Sequence, residues 1–158
     1  MSQVLILLAS KGDLEHGQKM AKFLTKMGVD HSLRIGSAHK VPLKVMEIIR
    51  EYESENVVFI TVAGRSNALS GFVDANTVKP VIACPPYSEK FGGADLFSSL
   101  RMPSGVCPML VLEPEEAALA AMKILGVGDR KILEKVHQYQ QEKKKVLEQD
   151  DLGISKNG

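Results

Sequence analysis

Tryptophan is absent from the 158 residues, and aromatic side chains make up only 5% of them. That leaves little for the base-stacking platforms of single-strand nucleic-acid binders, and little to sandwich a flavin. Cysteine occurs twice, as Cys84 and Cys107, too few and too far apart for a disulfide framework or a zinc site. Charge of one sign is lacking too: 20 basic and 19 acidic residues leave a formal charge of +1. General affinity for nucleic acid or a membrane surface needs a concentrated positive field, so neither partner is expected. No apolar run approaches the ~20 residues that span a bilayer. There is no Walker pattern, no GxGxxG and no metal-ligand spacing, so neither a nucleotide cofactor nor a metal is expected. Internal repeats are missing, and no signal-peptide pattern precedes the first apolar run. The expectation is a soluble, cytoplasmic protein.

What is present is a globular composition, 44% hydrophobic, and a regular alternation of elements. Val4 to Ala9 and Val57 to Val62 are short continuous apolar runs, as in central parallel strands buried on both faces. Further strands are expected over Asp30 to Ile35, Pro80 to Cys84 and Cys107 to Leu112. Between them lie helical patterns: Met20, Phe23, Leu24 and Met27 before Gly28, then Val45, Ile48, Ile49 and Tyr52, then a short helix reaching about Asn76. An alanine-rich helix opens at Pro114-Glu115-Glu116 and ends at Gly126. A last helix from Asp129 to about Gln149 carries a thin stripe of Ile132, Val136, Tyr139, Lys143 and Leu147. Such a stripe fits a helix that reaches another subunit or ends in solvent.

Five strands alternating with helices predict an α/β, three-layer, doubly wound parallel sheet, flavodoxin-like with strand order 2-1-3-4-5, plus an extended C-terminal helix. Residues 1–127 form the expected single catalytic domain, 128–149 the helix packing on a neighbouring subunit, and 150–158 a flexible tail.

In such a sheet the loops after the first three strands converge at the strands' carboxyl ends. They bring Ser10, Lys11, Gly12 and Asp13 together with Ser37, His39 and Lys40 and with Ala63, Gly64, Arg65, Ser66 and Asn67. Pro42 opens the helix that follows Lys40, so free N–H groups and the helix dipole there favour an anion. Hydroxyls and cations suit a phosphate, and Asp13 can accept from ribose hydroxyls, so the inventory fits a phosphorylated sugar. Histidine titrates near neutrality, which makes His39 a candidate for moving a proton at carbon. Structural uses stay open beside these: Asp13 as a helix cap, His39 as a capping or packing residue, Arg65 as half of an ion pair. His16, His31 and His137 are placed on element surfaces and given no role.

Ser37-Ala38-His39-Lys40 closely resembles the Ser-Ala-His-(Arg/Lys) signature of the aminoimidazole ribonucleotide (AIR) carboxylases, the PurE family of purine biosynthesis. The resemblance spans roughly residues 3 to 127. It includes Ala63-Gly64-Arg65-Ser66-Asn67, Pro80-Val81-Ile82-Ala83-Cys84-Pro85-Pro86 and Ser98-Ser99-Leu100-Arg101-Met102-Pro103-Ser104-Gly105, which look like the class II branch that uses CO2 directly. It implies a homo-octamer with sites at subunit junctions and no cofactor. It also implies that the Ser10 loop and Ser37 hold the AIR phosphate and Asp13 the ribose. His39 would carry the C4 proton, and Lys40, Ser104 and Gly105 would hold CO2. One departure stands in the first loop: the family commonly reads Gly-Ser-x-Ser-Asp, and here Gly12 replaces the second serine.

Two other readings compete. The class I enzyme, N5-carboxy-AIR mutase, typically has Arg where Lys40 stands and a loop histidine where Ala68 falls. A non-catalytic phosphate-binding protein of the same fold would tolerate His39→Asn without loss of any activity.

Overall fold

The computed structural model describes residues 2–155. Strand β1 (Ser2–Leu8) is followed by a 3-10 turn (Lys11–Asp13) and helix α1 (Leu14–Lys26). Then come β2 (Asp30–Ile35), α2 (Pro42–Glu51), β3 (Asn56–Val62), α3 (Ala68–Asp74) and β4 (Val81–Ala83). Two 3-10 stretches (Glu89–Phe91, Ala94–Ser99) lead to β5 (Met109–Leu110), α4 (Pro114–Gly126) and α5 (Arg130–Ser155). All pairs are parallel and the order is β2-β1-β3-β4-β5, the expected doubly wound sheet.

Alternation along the central strands divides the core into two layers, because successive side chains leave opposite faces. Val4, Ile6 and Leu8, with Val58, Ile60 and Val62, meet Met20, Phe23 and Leu24 of α1 and Ala117, Ala118, Ala121 and Met122 of α4. Leu5, Leu7, Val57 and Phe59 face the other way, onto Val45, Ile48 and Ile49 of α2 and Leu69 and Val73 of α3. Small residues set the close approaches. A Cβ on Gly17 of α1 would lie 2.7 Å from Leu8 Cδ2, and one on Gly36 would lie 2.9 Å from Val45 Cγ2. Gly36 also donates its N–H to Leu8 O at 2.9 Å, so the chain leaving β2 is drawn against the end of β1.

Three elements depart from expectation. β4 and β5 are shorter than the apolar runs that encode them. Pro108 has no N–H to give a ladder, and the Cys107 N–H goes to Asp74 Oδ2 at 2.7 Å, so β5 pairs only Met109 with Ile82 and Leu110 with Ala83. α5 does not stop near Gln149: residues 150–155, expected in the tail, are helical, and residues 156–158 lie outside those described. Its first half packs on its own chain, with Ile132 and Val136 buried and Tyr139 edge-on to Phe23 at 5.3 Å. Its second half exposes Val146, Leu147, Leu152 and Ile154. Among the described residues no helix is long and apolar enough to cross a membrane.

Candidate active site

The loops beyond β1, β2 and β3 do converge, and a fourth joins them. They enclose a cavity of about 480 Å³, within the usual range for small-molecule sites. From the first loop come Ser10, Gly12 and Asp13, from the second Ser37 and Lys40, from the third Gly64 and Arg65. The fourth wall is the chain after β4, with Pro86, Ser88, Lys90, Phe91 and Asp95.

Local hydrogen bonds explain each placement. Asp13 Oδ2 accepts from both the Ser10 N–H and the Ser10 hydroxyl, each at 2.9 Å. Asp13 therefore shapes the first loop instead of capping α1 with its side chain. Ser37 Oγ accepts from the Lys40 N–H at 3.3 Å, and Ser37 O accepts from the Val41 N–H at 2.9 Å, closing the turn that carries His39. The Ser37 hydroxyl proton is left for a ligand. Arg65 has φ +58°, the left-handed region that costs a non-glycine residue about 1 kcal/mol or more. It is held there from the fourth wall. The Arg65 N–H donates to Asp95 Oδ2 at 3.0 Å, Ser98 Oγ donates to Arg65 O at 3.1 Å, and the guanidinium lies 5.7 Å from the centre of the Phe91 ring.

Not every expected residue lines this cavity. His39 and Lys11 are exposed on the same loops but outside the lining, as is Ser66. Ala63 is buried in the core. Asn67 is also buried, and its side chain is engaged at both ends: Oδ1 accepts from the Ser70 N–H and Nδ2 donates to Ser99 Oγ at 2.9 Å. It ties α3 to the fourth wall. Ser104 and Gly105 sit on an exposed turn beyond Met102, which packs on Gly71 of α3, and they do not reach this cavity of their own chain.

A profile described as AIR carboxylase matches residues 3–146. The chain belongs to the AIR carboxylase family. It is 61% identical over 149 residues to a phosphoribosylaminoimidazole carboxylase of Archaeoglobus fulgidus, covering 94% of this chain and 83% of that protein. A protein of the same description from Treponema denticola is 47% identical over 155 residues, covering 97% and 98% respectively. A crystal structure of Treponema denticola PurE superposes with a TM-score of 0.94 at 45% identity, covering 98% of this chain and 99% of that one.

This AIR carboxylase domain has a second cavity that the sequence did not announce, about 540 Å³ across the Pro86–Asp95 wall from the first. His16, Lys19, Tyr87, Leu112 and Glu113 are among its lining. His16 is half-buried, not on an outer surface, and its Nε2 lies 3.5 Å from Cys84 Sγ. Burial, helped by the Lys19 charge, lowers the His16 pKa below its usual value. Burial, with Glu113 adding to it, pushes the Cys84 thiol up to about 12, so it stays protonated and donates to Leu112 O at 3.4 Å. The clue lay in Cys84 itself: an apolar strand end buries its neighbour, whichever helix that neighbour is on. Pro86, Ser88, Lys90, Phe91 and Asp95 of the first cavity follow strand four, beyond the three loops that the sequence brings together.

Proposed function

We propose that this chain is a phosphoribosylaminoimidazole carboxylase of de novo purine biosynthesis, acting in the cytoplasm as a class II enzyme that adds CO2 reversibly to C4 of AIR. The observation that carries the reading is the cavity in which Ser10, Asp13, Ser37, Lys40 and Arg65 meet at the carboxyl ends of three adjacent parallel strands. The phosphate is taken by the Ser10 loop and Ser37, and the ribose by the remaining Asp13 oxygen. AIR is an enamine, so C4 attacks CO2 and forms the carbon–carbon bond using its own electron pair. The adduct then loses the C4 proton to the His39 imidazole and regains the aromatic ring; in reverse the imidazolium returns that proton. Lys40 stabilises the new carboxylate by charge where negative charge develops.

Assembly completes the site in this reading. Val41 is 42% and Leu43 77% exposed, an apolar flank beside His39 and Lys40 that a second copy covers. The Ser104–Gly105 turn of such a copy supplies the other CO2 contacts, and the exposed end of α5 reaches across to a neighbour in a homo-octamer. Residues 1–127 are the catalytic domain in this scheme.

The test is carboxylation of AIR with CO2 supplied, wild type against His39→Asn. Loss of the proton carrier lowers kcat by about 10²–10⁴-fold with AIR binding retained. Conversion of N5-carboxy-AIR without any reaction between AIR and CO2 moves the protein to the mutase activity. Full activity in His39→Asn removes the assigned role.

A further inference from the structure

We propose that Lys90 is a phosphate ligand of this site, supplying the contact that Gly12 does not; the inference rests on the carboxylase reading above. The first loop is short of donors in two ways. Gly12 has no hydroxyl, and a Cβ there would stand 3.3 Å from Ser10 Oγ, so even a small side chain crowds that hydroxyl. The Ser10 hydroxyl, for its part, spends its proton on Asp13 Oδ2 at 2.9 Å. Lys11, the nearby cation on the same loop, does not line the cavity.

Charge decides what must replace them. A phosphate monoester brings close to two negative charges at neutral pH, about 1.5 to 2. The lining holds three cations, Lys40, Arg65 and Lys90, and two carboxylates, Asp13 and Asp95. Without Lys90 the cations only cancel the carboxylates, and the cavity offers the anion no net attraction. Arg65 is already turned over Phe91, and Lys40 is assigned to the carboxylate. Lys90 has no ion pair or hydrogen bond from its side chain among the described residues. Its backbone is held in place by two hydrogen bonds. It is the middle residue of a 3-10 turn closed by the Phe91 N–H to Ser88 O at 3.2 Å and the Gly92 N–H to Glu89 O at 3.0 Å. An ammonium on a long stem, lining a cavity whose other charges cancel, is a point-charge binder for the phosphate's negative charge. Ser88 on the same turn adds a hydroxyl.

The experiment compares wild type, Lys90→Gln and Lys90→Arg on AIR and on its phosphate-free nucleoside. Lys90→Gln raises KM for AIR about tenfold or more, with kcat within about twofold, and makes KM less sensitive to salt. Lys90→Arg restores most of the affinity, and binding of the nucleoside is the same in all three. An unchanged KM for AIR in Lys90→Gln overturns the proposal. Equal weakening of nucleotide and nucleoside overturns it as well, since that reports a change in shape and not a lost phosphate contact. If the wild type fails to carboxylate AIR, the activity reading has failed, and ribose 5-phosphate binding by calorimetry then judges Lys90 alone: weaker in Lys90→Gln supports it, equal refutes it.

Discussion

Removing the Asp95 carboxylate tests how the fourth wall holds the third loop. Arg65 sits at φ +58°, where an L-residue other than glycine is strained by about 1 kcal/mol. The main restraint on its N–H is Asp95 Oδ2 at 3.0 Å, at an exposed position. A charge-assisted bond of that kind in water contributes about 1–2 kcal/mol net. In Asp95→Ala the strain is no longer offset, and the loop relaxes out of its left-handed turn for much of the time. The Ser98 bonds to Arg65 O at 3.1 Å and from the Asn67 N–H at 3.0 Å remain, so the loop stays attached to the fourth wall and the effect is bounded. Since about 1.4 kcal/mol is tenfold in an equilibrium, the lost bond alone raises KM for AIR about 5- to 30-fold, and removal of a carboxylate from the phosphate cavity pulls the rise toward the low end of that range. Steady-state rates at varied AIR and saturating CO2 read this directly. Asp95→Asn keeps an acceptor oxygen and recovers much of the loss. The reasoning is refuted if Asp95→Ala has the wild-type KM, or if Asp95→Asn is just as impaired, because the hydrogen bond would then not be what matters.

Two further outcomes follow from packing and burial. Gly17→Ala gains about 1 kcal/mol of helix propensity, but its Cβ meets Leu8 Cδ2 at 2.7 Å in a fully buried layer, and overpacking costs about 1–3 kcal/mol. The net loss, up to about 2 kcal/mol, lowers the urea midpoint by up to about 1 M, and a raised midpoint would show that helix propensity outweighs the contact. His16 has a folded pKa below its ordinary 6.5, so well above pH 6.5 it is neutral folded or unfolded and adds no pH dependence. As pH falls below 6.5 the unfolded chain takes up the proton first, and stability drops until folded His16 titrates too. Unfolding measured against pH is accordingly flatter in this interval for His16→Gln; parallel curves would contradict the assignment.

Much of the architecture could be read from the chain because its signals were local and agreed with one another. The continuous runs at Val4 and Val57 have the look of strands covered on both faces, and Pro42 and Pro114 mark the first turns of helices where their missing N–H costs nothing. The Ser37–Lys40 turn was legible for the same reason. What escaped was set by partners distant in sequence. The brevity of β5 depends on Asp74 capturing the Cys107 N–H, and the occupation of Asn67 depends on Ser99. Neither leaves a mark on its own segment. The wall from Ser88 to Asp95 contains two left-handed glycines, Gly92 at φ +56° and Gly93 at φ +76°. Its irregular backbone gives no periodicity to read, though its place after a parallel strand marks it as a ligand-binding loop.

The strand order has a kinetic consequence. β1 lies between β2 and β3, with Gln3 opposite Asp30 on one side and Ser2 opposite Asn56 on the other. Each pairing closes a long loop of chain before any ladder contact rewards it, which places this fold among those that form slowly for their size. The Ser10, Ser37 and Arg65 loops acquire their mutual distances only when both pairings are in register. Substrate affinity during refolding is therefore a late signal, arriving after most of the helix content has returned.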